Sequence, residues 1–129
     1  MIWECTIPDY DLISPNRLMR MHFAQRGKEH TKTVELLHIH STGPMVEFSG
    51  EVDISITRQY GYRKRAMDED NLYGACKILL DALRRPSPRS KKPSLGLIKD
   101  DSPNTIRSLN VKQEKSKDKV TRIVVRVTT

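Results

Sequence analysis

From Met45 to Tyr60, apolar and polar residues take turns: Val46, Phe48, Val52, Ile54 and Ile56 alternate with Glu47, Ser49, Asp53 and Ser55. A period of two is that of a β-strand with one buried and one wet face. The pattern predicts a strand over 45–60, with Gly50 on its buried side at a bulge or a close backbone approach. From about Asp70 to Arg85 the period becomes helical. Leu72, Ala75, Cys76, Leu79 and Leu83 share one side, and Asp70, Lys77 and Asp81 the other, with Gly74 between them. Arg84 and Arg85 fall in the last turn, where positive charge suits the helix dipole. Ile2 to Ile7 reads as a short strand ending at Pro8. Pro8 to Gly27 reads as irregular, and Lys28 to His40 as a helix stopped by Gly43 and Pro44. Thr105 to Val111 and Lys119 to Thr128 read as two further strands, joined through the polar stretch 112–118 as a hairpin. This order predicts a single α+β domain over 1–129. Its sheet is small, mixed or antiparallel, of about four strands, with two helices on one face.

Composition narrows the partner. The chain has 129 residues, 36% hydrophobic and 30% charged, with a formal net charge of +7. Such an excess attracts polyanions, nucleic acid before an anionic membrane. No apolar run approaches the roughly 20 residues that span a bilayer, and the start lacks the basic and apolar regions of a signal peptide. A cytoplasmic setting is expected. The two cysteines, Cys5 and Cys76, are too few for a disulfide framework and suit no zinc spacing. His30, His38 and His40 form no metal set, and the tyrosines, Tyr60 and Tyr62 among them, are too scattered for a stacking platform.

The densest chemistry is RKRAMDEDN, Arg63 to Asn71, where three basic residues precede three carboxylates. A second acidic pair, Asp100 and Asp101, follows GLIK. Phosphodiester hydrolysis needs phosphate charge neutralised and a water made nucleophilic, and magnesium held by a few carboxylate oxygens does both. Structural readings stand beside this one. Asp at a helix start is a common cap, and Asp-Asp-Ser-Pro makes a turn. Lys77 reads either as a phosphate ligand or as a surface partner of Asp81. The Pro-, Ser- and base-rich run 84–96 is expected to be a mobile loop. Its Arg84, Arg85, Lys91 and Lys92 either contact phosphates or belong to a solvated linker.

D-E-D-N-L at Asp68 to Leu72, D-A-L at Asp81 to Leu83 and G-L-I-K-D-D at Gly96 to Asp101 occur in that order, after S-P-N-R at Ser14 to Arg17. In this the chain resembles the RusA-like Holliday junction resolvases over most of its length. The resemblance implies a homodimeric, magnesium-dependent endonuclease that resolves four-way DNA junctions by paired symmetric nicks, with manganese as a substitute ion. It implies that Asp68, Asp70 and Asp101, with Asp100 beside them, bind metal. It also implies a catalytic lysine one turn after the second aspartate. That position is Gly74 here, and Lys77 lies nearly a turn further on. Asn16, Arg17 and Arg63, Lys64 and Arg65 are the expected DNA contacts beside the loop cations. Two alternatives remain open: a metal nuclease acting on other branched DNA, and a basic DNA-binding protein without catalysis.

Overall fold

The computed structural model describes residues 1–89 and 92–129. Among these, five strands and three helices follow in the order β1 (Ile2–Pro8), α1 (Pro15–Arg20), α2 (Phe23–Ile39), β2 (Ser41–Thr42), β3 (Val52–Tyr60), α3 (Glu69–Leu83), β4 (Ile106–Lys115) and β5 (Arg122–Thr128). The sheet order is β2-β1-β5-β3-β4. β4 pairs with β3 in parallel and the other pairings are antiparallel. The α+β class and the mixed sheet agree with the sequence, with five strands instead of four and three helices instead of two.

Period two decides which side of the sheet is covered. Trp3, Cys5 and Ile7 of β1, Ile54 and Ile56 of β3, and Ile123, Val125 and Val127 of β5 are all buried. They join Val34 and Leu37 of α2 and Leu72, Ala75, Cys76, Leu79 and Leu83 of α3 in one core. Residues of the opposite parity, such as Glu4, Asp53, Arg126 and Ser108, line a polar face linked by Arg126–Glu4 and Arg107–Asp53 ion pairs. Burial holds the thiols of Cys5 and Cys76 up at about 12, so both are inert packing groups.

Three local expectations change. First, the strand begins at Val52, not Met45, because Gly50 takes φ +77, a left-handed conformation that breaks an extended run. Gly50 is exposed in this loop, as is Val46, while Phe48 is buried. Second, the supposedly irregular stretch holds α1 and the start of α2. Ser14 caps α1 with Pro15 just inside it, and the His22 ring accepts from the Ala24 amide at 3.2 Å to cap α2. Third, β4 and β5 form no hairpin, because β3 lies between them. The fully apolar parity of β5 needs the sheet centre. β4 offers only half-buried Ile106, Leu109 and Val111 and takes the edge. The 116–121 connection therefore crosses the end of β3, where Tyr62 donates to the Lys119 carbonyl and Gly61 to the Thr121 hydroxyl. The described ends of the 84–96 segment are hydrogen-bonded to their surroundings. Arg85 N donates to Ile98 O at 2.7 Å, and Leu95 N to Ala82 O at 2.8 Å. Leu97 and Ile98 are fully buried, and their apolar surface supplies the packing that the polar run around them hides.

Candidate functional site

The basic segment that leads to Asp68 is held from beneath by a buried arginine. Arg58 is 2% exposed. Its guanidinium grips both oxygens of Asp11 at 2.7 and 3.0 Å, and donates to the Arg65 carbonyl at 2.9 Å and Gln113 Oε1 at 3.1 Å. Gln113 in turn accepts from the Met67 amide at 3.0 Å and donates to the Met67 carbonyl. Burial alone would raise the Asp11 carboxyl, but the Arg58 hydrogen bonds and charge outweigh it and hold it below the usual range. Residues 65–67 are thus tied to the ends of β3 and β4. Of the expected DNA contacts here, Lys64 pairs with Asp11 at 3.4 Å. Arg63 lies over the exposed Tyr62 ring, and Arg65 keeps an exposed side chain.

Asp68 is the N-cap of α3: its carboxylate accepts from the Asn71 amide at 2.8 Å and the Asn71 side chain at 3.1 Å. Asp70, one residue into the helix, is exposed, and so is Lys77. Neither has an ion pair or hydrogen bond among the described residues; Asp81 pairs with Arg84 at 3.9 Å instead of with Lys77. Gly74 carries no side chain because Pro15 of α1 stands on it. A Cβ there would lie 2.7 Å from Pro15 Cγ. This contact brings exposed Asn16 and Arg17 to the side of α3 that carries Asp70 and Lys77.

Asp100 and Asp101 stand elsewhere. The Asp100 carboxylate closes a turn, accepting from the Ser102 amide at 2.9 Å and hydroxyl at 2.6 Å. Bonds from the Ser102 hydroxyl, the Ser102 amide and Thr105 hold its pKa down at about 2. Asp101 is exposed and has no such bond among the described residues. The turn is fixed to the start of the parallel pair, since Val52 N donates to Thr105 O and Ile106 N to Ser102 O. The Asp68 segment is fixed to Gln113, near the far end of β4. At about 3.3 Å per residue the two anchors are roughly 20 Å apart. Among the described residues no three His, Cys, Asp or Glu side chains stand close enough to hold one metal ion. The single chain therefore does not assemble the Asp68, Asp70, Asp100 and Asp101 set that a magnesium ion would need.

Arg84 and Arg85 lie at and just past the opposite end of α3 from Asp68, not in its last turn as expected. Arg84 is the C-cap, and Arg85 makes a bidentate pair with Glu47, both bonds 2.8 Å, which lowers the Glu47 pKa. With His30, Lys92 and Ser94 they line a cavity of about 180 Å³. Lys91 lies outside the described residues. Arg58, Asp11 and Gln113 escaped the sequence reading, though one signal was legible. Arg58 falls on the buried parity of the clearest strand, where a charge demands a partner. No protein-family model matches the chain, and no curated protein matches it.

Proposed function

We propose that this protein is a metal-dependent endonuclease of branched DNA, four-way junctions foremost, acting as a homodimer with magnesium as its cofactor. One observation carries the reading. The chain has a net charge of +7, and six of its acids, Glu4, Asp11, Glu47, Asp53, Asp81 and Asp118, are ion-paired with arginines. The two acidic pairs of the resemblance, like six further acids, form no such pair among the described residues. Asp68 and Asp100 accept bonds only from neutral groups nearby, and exposed Asp70 and Asp101 have no partner among the described residues. Carboxylates close together in sequence and free of salt bridges among the described residues are suited to receiving a cation from solution.

Within one chain these pairs are too far apart to share an ion, so the reading requires a second copy. Among the described residues the outer edge of β4 has no strand partner. Antiparallel pairing of two such edges would carry Asp68 and Asp70 of one copy toward the partner's Asp100 and Asp101, and would give two equivalent sites on a twofold axis. Arg63, Arg65, Asn16, Arg17 and Lys77 flank the first pair as contacts for DNA phosphates.

The test is cleavage of a synthetic four-way junction in magnesium, with flap and linear duplexes alongside. Wild type is expected to nick the junction in paired symmetric positions. Asp70→Asn and Asp101→Asn, each alone, are expected to bind but not cut. Mixing the two inactive variants should restore nicking, because one site of the mixed dimer then keeps both aspartates. Mixing would restore nothing if each site belonged to one chain. A second reading, DNA binding without catalysis, is favoured by the local roles of Asp68 as cap and Asp100 as turn. It takes over if wild type binds junctions in a salt-sensitive manner and cuts none of the three substrates.

A further inference from the structure

Gly27 lies inside α2, where neither packing nor backbone geometry asks for glycine. A Cβ built there meets nothing within 4 Å, and its φ is not in the left-handed region. Glycine inside a helix is destabilising relative to alanine, because the unfolded chain gains freedom and no contact is made. Gly74 has Pro15 to explain it, and Gly61 has the crossing 119–121 backbone. Gly27 has nothing within the fold.

It does have a setting. Ala24, Gly27 and Thr31 are spaced three and four residues apart and so share one side of α2. They form the floor of an open groove. The Thr31 hydroxyl donates back to the Gly27 carbonyl at 3.1 Å, which keeps it out of the way. Lys28 and Lys32 rise along the floor, one turn and about 6 Å apart. Arg89 and Lys92 stand on the far wall, and Glu35 is the one acid lining the groove. Among the described residues neither Lys28 nor Lys32 has an ion-pair partner. Small residues beneath and cations on both sides suit a thin, repeating polyanion.

We propose that this groove holds the phosphodiester backbone of a DNA strand, with Gly27 as the point of closest approach and Lys28, Lys32 and Arg89 as phosphate contacts. The inference rests on the DNA-binding part of the proposed function and not on catalysis.

The experiment titrates a fluorescein-labelled four-way junction in EDTA, so that nothing is cut, across a series of salt concentrations. The proteins are wild type, Gly27→Ala, Gly27→Leu and Lys28→Ala/Lys32→Ala, each with its melting temperature. Both Gly27 variants should melt at or above the wild-type temperature, since each is a better helix former in open space. Their affinity for the junction should fall with side-chain size, by about tenfold for leucine. The lysine pair should flatten the slope of log affinity against log salt by about 2. A well-folded Gly27→Leu that binds the junction like wild type overturns the proposal. So does polyglutamate binding that weakens in the Gly27 variants while junction binding does not, since the groove then belongs to an acidic polypeptide. Wild type that binds no DNA overturns both this inference and the proposed function. A Gly27 effect on junction binding, with no cleavage by wild type in the separate magnesium assay, removes the nuclease reading alone.

Discussion

Arg58 occupies a strand position whose neighbours at every second residue, Ile54 and Ile56, are aliphatic and buried. It is tolerated there because all three nitrogens of its guanidinium are used: Asp11 takes two bonds, and Arg65 and Gln113 take one each. Truncating one member of such a pair strands the other as a buried charge. Arg58→Ala is therefore expected to cost about 3–5 kcal/mol. The Asp11→Ala, Arg58→Ala double variant should cost clearly less than the sum of the two singles. Urea unfolding of the four proteins measures this, and strict additivity would mean that the two side chains do not depend on each other. The same substitution should loosen residues 65–67 and so blur the position of Asp68, which the sequence did not foretell. The period of the strand marked Arg58 as out of place. Its partners Asp11 and Gln113 lie far off in the chain, and only folding brings them together.

At the scale of elements, two glycines inside helices behave oppositely. In an exposed helix interior, glycine to alanine ordinarily stabilises by about 1 kcal/mol. Gly27→Ala should follow that rule. Gly74→Ala should break it, because its Cβ would press on the Pro15 ring at 2.7 Å, and overpacking of this kind costs about 1–3 kcal/mol. Gly74→Lys, which restores the lysine position of the resolvase resemblance, should lower the melting temperature further by displacing α1. Thermal unfolding of these variants decides it. A higher melting temperature for Gly74→Ala would mean that α1 does not rest on α3 at Pro15. Helix α3 itself was readable from its apolar stripe and its Asp68 cap. Helix α1 was not, because six residues carry too little periodicity and none of them is buried.

For the molecule as a whole, acid is the most informative perturbation. The Arg107 and Ser108 bonds hold the Asp53 carboxyl at about 2, and the Ser102 and Thr105 bonds do the same for Asp100. Asp11 and Asp118 are also depressed, Asp118 chiefly by Arg122. A carboxyl whose folded pKa lies below its unfolded value of about 3.9 contributes stability that is fully present above that pH. The contribution is lost as pH falls through the folded pKa. The urea midpoint is expected to be level from neutral pH down to about 5 and to fall steeply between about 4 and 2. Asp118 is exposed and Asp53 and Asp100 are partly so, so solvent screens all three; most of the fall should come from Asp11, and Arg58→Met should flatten it. A midpoint unchanged down to pH 2 would sever these pairs from stability.

The sequence by itself determined what is encoded within a few residues. The parity of β3 and β5, the apolar stripe and cap of α3, the Asp100 turn and the excess of positive charge all follow from neighbouring side chains and need no partner from afar. Tertiary structure alone decided which strands meet and which charges share a place. The most apolar strand, β5, took the sheet centre, which sent β4 to the edge and removed the hairpin. Because α3 runs back along β3, its first residues and the Asp100 turn came to rest at opposite ends of the sheet. Two acidic segments that the resemblance expects to converge on one ion therefore stay apart within one chain, since sequence order carries no information about the direction in which a helix returns.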